Sequence, residues 1–357
     1  MSLSYQYSEK NREKQVKSTF RCSSNIALVK YWGKKPEGIQ LPANPSISFT
    51  LKDLYTETTV SVLGANTSGA PEFDFLFEGQ PKPSFIPKLT DFFNRILPDY
   101  AILREFYLQI NTSNNFPHGT GIASSASGFG ALACCLAELE QVHTGQPVSV
   151  EKISKTARLG SGSACRSMFE LPAIWGAHPL VKGSNDEYAI PFKSNIHEVF
   201  TDMMDAVLIV DAGEKSVSST VGHGLLKGNP YASARYEEAT HHLTEICTAL
   251  ETGNMTDFIR IVEQEALQLH AMMMLSNPYF ILMRPATLSV IEALWAFRKE
   301  TKIPVMFTLD AGANVHLLFP GIHNQQVKNF IEGQLLDYCQ NRQYFCSAIG
   351  SAPIPIQ

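Results

Sequence analysis

The sequence predicts a chain of mixed helix and sheet folded as two lobes. Three observations predict it: strand-like and helical runs mix in the first half, helical periodicity dominates the second after one apolar strand, and the size suits two modest cores. At 357 residues, 44% of them apolar, the chain can bury one large core or two smaller ones. It has no internal repeat and no flexible linker, so any division must come from pattern.

Taken in order, Thr58–Leu63 and Tyr107–Ile110 read as strands, and the Ala-rich run from about Ser125 to Val142 reads as a helix. Ala206–Val210 is an apolar run of strand length. Beyond it Phe258, Ile261, Val262 and Leu269 share one helical face, and Leu288, Ile291, Leu294, Trp295 and Arg298 another. Val305–Thr308 and Val315–Phe319 read as strands flanking Leu309-Asp310-Ala311-Gly312-Ala313-Asn314, whose Gly and Asn favour a tight turn. An acidic side chain is thereby held at a hairpin tip. The lobe boundary falls near residue 200.

A formal charge of −5 and a pI near 6.1, without any block of like charges, argue against a nucleic-acid or anionic-membrane binder. Any basic site must be local. The first twenty residues lack the apolar core of a secretory signal, and no stretch reaches the ~18 apolar residues of a membrane-spanning helix. A soluble, intracellular protein is expected. The seven cysteines are scattered without a C-x-x-C pair, so they read as reduced thiols, with no structural zinc expected.

Four segments carry chemistry. Asn115-Phe-Pro-His-Gly-Thr-Gly-Ile-Ala-Ser-Ser-Ala-Ser-Gly128 is a small-residue loop running into the Ala-rich helix. Its glycines admit a ligand to the backbone, its serines can cap the helix or reach a metal, and a helix N-terminus attracts phosphate. The same composition would also serve a plain helix-capping turn. Three familiar motifs are excluded: there is no G-x-x-x-x-G-K-[ST], Gly119-Thr-Gly121 lacks the third glycine of a dinucleotide fold, and no G-x-S-x-G occurs.

The second segment is Ile26-Ala-Leu-Val-Lys30-Tyr31-Trp32-Gly33-Lys34. A lysine in an otherwise apolar strand either snorkels to solvent or is held by an anion. In the third, Arg158-Leu-Gly160-Ser-Gly-Ser163-Ala-Cys-Arg166-Ser167, Arg166 could grip a carboxylate or diphosphate bidentately, or be incidental to a surface loop. The fourth is Phe307-Thr-Leu-Asp310-Ala-Gly-Ala-Asn314, where a lone aspartate commonly serves only the turn.

Together these segments resemble the signature of the mevalonate diphosphate decarboxylases, within the GHMP small-molecule kinase superfamily. The stretches that match, in order, are Asn25–Lys34, Asn114–Ala126, Gly160–Ser167 and Asp310–Asn314, with support from Leu41–Leu51 and Val217–Thr220. The resemblance runs from about Arg21 to the C-terminus. Departures are His118-Gly119-Thr120, Pro45, a first twenty residues without counterpart, and Lys88 roughly where the family often has a diphosphate-binding arginine.

The resemblance implies an α+β, two-domain GHMP kinase fold: an extension over 1–20, a nucleotide-binding domain over 21–200, a C-terminal domain over 201–357, and an active site in the cleft between the domains. It implies ATP as co-substrate with Mg²⁺, mevalonate 5-diphosphate as substrate and a cytoplasmic homodimer. Matched position by position, Asp310, Lys30 and Arg166 would be catalytic, with Arg166 on the substrate carboxylate. Tyr31, Lys34, Lys88, Ser163 and Ser219 would complete the substrate contacts. Gly119, Gly121, Ile122, Ala123, Ser124, Ser125 and Ser127 would hold the nucleotide, and Ser125 and Ser127 the metal. Two rivals stand beside this reading: a kinase or monophosphate decarboxylase of the same fold, and a non-catalytic nucleotide-binding scaffold. Retention of Lys30, Asp310 and the serine loop favours the decarboxylase.

Overall fold

The computed structural model describes residues 16–35, 39–117, 122–213 and 219–356, with backbone alone for 219–221. The larger sheet takes β1 (Lys17–Val29), β2 (Ser46–Ala65), β3 (Glu72–Phe77), β4 (Gln80–Pro81), β5 (Phe106–Asn114), β6 (Ala173–Trp175) and β7 (Ile190–Pro191). The smaller is antiparallel, with β8 (Met203–Leu208), β9 (Met306–Leu309), β10 (Val315–Pro320) and β11 (Tyr344–Ala348) in the order β11-β8-β10-β9. The chain end then returns as β12 (Ile354–Pro355) to pair with β1.

One face of the larger sheet is covered by α1 (Ile86–Ile96), α2 (Ser124–Thr144) and α3 (Val150–Gly160). Leu89, Phe92, Phe93 and Ile96 of α1 recur at helical spacing and are buried. The alanines of α2 let it lie close over Cys22, Val60 and Val62 of the sheet. Its other face, at Ile26, Leu28, Ile47 and Phe49, packs on helices from the second half of the chain. These are α5 (Ala232–Thr252), which follows the short α4 (Ser219–Gly224), and α6 (Met255–Met274). Met203, Val207, Met306 and Leu318 of the smaller sheet join that core, so α5 and α6 lie between the two sheets. The opposite side of the smaller sheet is closed by α7 (Pro285–Thr301).

Several elements differ from the pattern reading. β2 is twenty residues long, far beyond Thr58–Leu63, because Ser46, Ser48, Thr50, Thr56 and Thr58 are buried polar residues that interrupt the apolar alternation. β1 begins at Lys17 and pairs with β2 as far as Ser61, within the stretch read as an extension. On α7 the buried face is Thr287, Val290, Ile291 and Leu294. Leu288 and Trp295 are largely exposed, the indole N–H of Trp295 donating to Glu263 at 3.0 Å. The expected hairpin is present as β9 paired with β10, Val315 opposite Leu309.

Candidate active site

The strand β1 stops at Val29, and the next residue turns its side chain into a cavity of about 450 Å³. Lys30 is 1% exposed, so of the two fates open to a lysine here, the anion has won. Its ammonium lies 3.6 Å from Asp310 Oδ1, an ion pair too long to be a hydrogen bond. Among the described residues Nζ has no hydrogen-bond partner. Burial pulls the Lys30 pKa below its ordinary value, against the opposing pull of the Asp310 and Glu265 carboxylates. The backbone is clamped on both sides: the Lys30 N–H donates to Glu265 Oε2 at 2.8 Å, and the Asn44 amide donates to the Lys30 carbonyl at 2.9 Å.

Asp310 begins the turn between β9 and β10, and three contacts hold that turn. His270 Nε2 lies 3.1 Å from the Asp310 carbonyl oxygen, Thr287 donates to the Ala313 carbonyl at 2.7 Å, and Asn314 exchanges hydrogen bonds with the Asp211 backbone at 2.9 and 3.1 Å. The Asn of the motif is thus an anchor. The carboxylate itself remains about a third exposed to the cleft.

Arg166 enters from the 3₁₀ segment Gly162–Met168 and is 2% exposed. Its guanidinium donates to Ser46 at 2.7 Å, Ser48 at 3.0 Å and Asn25 at 3.4 Å. All three acceptors are neutral, so the charge is oriented without being cancelled. Burial lowers its pKa. Alternate residues of β2 thus aim the arginine.

The N-terminal end of α2 faces the same cavity through Ala123, Ser124, Ser125 and Gly128. Ala123 takes a left-handed conformation, φ +48°, unusual for a residue with a Cβ. Ser125 Oγ lies 3.1 Å from Ser161 Oγ on the opposite loop. Helix N-termini favour anions through their amides and dipole, and a cleft serine hydroxyl is a hard oxygen suited to a magnesium ion arriving with phosphates. Among the described residues no group of three His, Cys, Asp or Glu could hold a metal.

Tyr31, Lys34, Lys88 and Ser163 also line the cavity. The Tyr31 hydroxyl and the Trp32 indole N–H are buried without hydrogen-bond partners among the described residues. Lys88 sits 4.9 Å over the Phe129 ring, its pKa lowered by burial, then by Lys34 and Arg95. His223 packs on Tyr31 and Trp32 at 4.2 and 4.6 Å between ring centroids. Burial, with Lys34 and Arg166 nearby, takes its pKa down to about 3, so the ring is neutral and its Nδ1 accepts the Gly33 N–H at 3.0 Å. Gly33 has φ +101°, and a Cβ there would meet Tyr236 Oη at 2.3 Å.

Ten of the expected site residues therefore share one cavity: Lys30, Tyr31, Lys34, Lys88, Ala123, Ser124, Ser125, Ser163, Arg166 and Asp310. Two expected residues lie elsewhere. Ser127 is fully buried, hydrogen-bonded to Thr56 Oγ1 at 2.6 Å and the Ser124 carbonyl at 3.2 Å. Ile122 is a core residue whose carbonyl accepts from Ser24. Gly119, Gly121 and the Ser219 side chain fall outside the described residues. Sequence reasoning missed Asn44, Ser46, Ser48, His223, Glu265 and His270. The period-two polar row Ser46, Ser48, Thr50 was a usable signal. So was Glu265, a charged residue on the helical face of Ile261, Val262 and Leu269; the histidines carried none.

Two family models match: the diphosphomevalonate decarboxylase-like N-terminal domain over residues 22–187 and the mevalonate 5-diphosphate decarboxylase C-terminal domain over 206–353. The diphosphomevalonate decarboxylase of Eremothecium gossypii is 31% identical over 323 residues, covering 86% of this chain and 78% of that protein. The Saccharomyces cerevisiae enzyme is 31% identical over 331 residues with the same coverage. Among solved structures, mevalonate diphosphate decarboxylase from Staphylococcus aureus aligns with a TM-score of 0.83 at 27% identity, covering 97% of this chain and 99% of that one. MDDEF in complex with MVAPP, AMPPCP and magnesium aligns with a TM-score of 0.82 at 28% identity, over 96% of this chain and all of that one. The fold is the two-domain GHMP kinase fold, and with its motifs clustered in one cleft the chain belongs to the diphosphomevalonate decarboxylase family.

Proposed function

We propose that the protein catalyses the ATP-dependent decarboxylation of mevalonate 5-diphosphate to isopentenyl diphosphate, a step of the mevalonate route to isoprenoids, with the cleft residues in the following roles. One observation carries the reading: a buried ammonium without a hydrogen-bond partner among the described residues lies 3.6 Å from a partly exposed carboxylate, in the cavity that also holds a helix N-terminus and the Arg166 fork.

Asp310 accepts, or orients, the proton of the substrate's tertiary 3-hydroxyl as that oxygen takes the γ-phosphoryl group and ADP leaves. Lys30 keeps Asp310 ionised and faces the charge that builds on the transferred group. Phosphorylation turns a poor leaving group into a good one. When the C3–O bond breaks, its electron pair leaves with phosphate. The C1–C2 bonding pair then becomes the new C2–C3 double bond as CO₂ departs. Arg166 holds the carboxylate ionised and in place until that moment.

Ser124 and Ser125, with the amides that open α2, receive the nucleotide phosphates. The Ser125 hydroxyl would hold a magnesium ion arriving with the nucleotide, which would supply neutralisation of charge on the phosphate oxygens. The buried Ser127 supports that loop through Thr56. Tyr31, Lys34, Lys88 and Ser163 take the diphosphate end. A domain boundary near residue 200, a homodimer and a cytoplasmic location complete the reading. The family resemblance supports the dimer. Seven free cysteines, and no described helix long and apolar enough to cross a membrane, are compatible with the location.

The test is incubation with ATP, Mg²⁺ and carboxyl-labelled mevalonate 5-diphosphate or 5-phosphate, following ADP and CO₂ separately. Equal release of both from the diphosphate is expected. ADP with a stable 3-phosphorylated product would make the protein a kinase, and preference for the monophosphate would change the substrate.

A further inference from the structure

One helix touches both members of the Lys30–Asp310 pair. Glu265 and His270 lie little more than a turn apart on α6, and each reaches a main-chain group. Glu265 Oε2 accepts the Lys30 N–H at 2.8 Å, and His270 Nε2 meets the Asp310 carbonyl oxygen at 3.1 Å. Both side chains are inaccessible, at 0% and 1% exposure. Burial takes the His270 pKa down to about 4, so the ring is neutral. Because a carbonyl only accepts, Nε2 carries the proton.

Glu265 is itself fixed. Arg235 donates to Oε2 at 2.6 Å, and His242 Nδ1 lies 2.6 Å from Oε1, both from α5. Burial alone would raise the Glu265 pKa, but Arg235, His242 and the Lys30 N–H outweigh it and leave the carboxyl below its ordinary value. A buried anion held this firmly is a rigid peg.

We propose that Glu265 and His270 are positioning residues, through which α6 grips the Lys30 and Asp310 backbones and sets the separation of the two charged groups in the cleft. This rests on the catalytic roles given to Lys30 and Asp310. Lys30 comes from the end of β1 and Asp310 from the β9–β10 turn, so no local hydrogen bond fixes their spacing. Helix α6 spans the gap as one stiff body. Glu265 adds a second effect, since its charge works with Asp310 against burial and Arg166 in setting how long Lys30 stays protonated as pH rises, the neutral His270 adding no charge.

The experiment compares Glu265→Gln, His270→Leu and His270→Gln with the intact enzyme, using Lys30→Met and Asp310→Asn as references. Loss of a peg displaces a catalytic group by a fraction of an ångström to an ångström, which typically costs ~10–100-fold in rate. Glu265→Gln should therefore lower kcat by that range with KM for ATP within about 3-fold. Its alkaline limb should move to lower pH, because Lys30 loses an anion that favours its charged form. His270→Leu should lower kcat similarly, and His270→Gln, whose amide N–H can reach the same carbonyl, should restore most of it. Should Glu265→Gln fail to fold around an uncompensated Arg235, the two His270 variants carry the test. Wild-type kcat in His270→Leu, or equal losses in both His270 variants, overturns the proposal, as does an unmoved alkaline limb in a folded Glu265→Gln protein. Near-normal turnover in Lys30→Met or Asp310→Asn would instead overturn the catalytic reading beneath it.

Discussion

The Lys30 ammonium lies 3.6 Å from the Asp310 carboxylate and has no hydrogen-bond partner among the described residues, although it is 1% exposed. A buried donor left unmade costs stability, so a structural role accounts poorly for the arrangement. A hydroxyl or phosphoryl oxygen reaching Lys30 from the cleft would give its ammonium an acceptor.

Replacing Asp310 by Asn tests this directly. Its side-chain shape and turn preference survive while the charge and proton acceptor disappear. The turn's other anchors, His270, Thr287 and Asn314, bind backbone and are untouched. Turnover should fall by ~10²–10⁴-fold, the usual worth of a general base, with nucleotide affinity within a few-fold of wild type. Near-normal ADP and CO₂ release from a well-folded Asp310→Asn protein would reduce Asp310 to a turn former.

For Arg166 the expected effect depends on its fork. Ser46 and Ser48 hold two of its nitrogens at 2.7 and 3.0 Å, which a lysine cannot imitate. Arg166→Lys should cut kcat/KM for the acid substrate by roughly 30-fold or more, consistent with about 2–5 kcal/mol for a buried charged contact. Ser46→Ala should give a milder loss of about 3–10-fold, near 1 kcal/mol for one hydrogen bond. Steady-state constants equal to wild type in both variants would detach this network from the substrate.

Much of this site was legible in the chain because its motifs are local. The run Asn25–Lys34, the serine loop and the Asp310–Asn314 turn each place a reactive group within a few residues of the glycine or asparagine that shapes its backbone. The supports were not legible. Glu265 falls on the apolar face read from Phe258, Ile261, Val262 and Leu269, but it reaches Lys30 across 235 positions, and nothing local names that partner. The same limit explains β2: its buried hydroxyls are polar by sequence and interior by tertiary packing. Ser127 failed in the opposite way, lying inside the right motif but on the side of α2 that faces Thr56.

Acid should destabilise the protein through two histidines. His223 and His270 are held neutral by burial, with pKa values down to about 3 and about 4 against 6.5 ordinarily. Above 6.5 neither state binds the proton. Below it the unfolded chain takes up protons that the folded chain refuses, so stability falls as pH drops from 6.5 toward 4 and then 3. His223→Asn keeps an acceptor for the Gly33 N–H and removes one titration. Denaturant unfolding at about pH 6.5 and about pH 4.5 should then give a fall in stability smaller than wild type by about 1–3 kcal/mol. An identical pH dependence in the variant would mean that His223 titrates normally.

Lys88 offers the sharpest distinction between the two phosphorylated substrates. It shares the cleft with Lys34, and burial, then Lys34 and Arg95, push its pKa down. Among the described residues none of these three cations forms an ion pair. Crowded like charges are relieved by an arriving anion, and more so by a diphosphate than by a monophosphate. Lys88→Met should raise KM for mevalonate 5-diphosphate by roughly 10–100-fold, the equivalent of one charged hydrogen bond of about 1.5–3 kcal/mol. Any activity on the 5-phosphate should change far less, and Lys88→Arg should keep the diphosphate preference. The measurement is a pair of KM values for each variant, repeated at raised salt, where screening should shrink the difference. Equal changes for both substrates would place the terminal phosphate elsewhere, and a change confined to the KM for ATP would move Lys88 to the nucleotide end of the cleft.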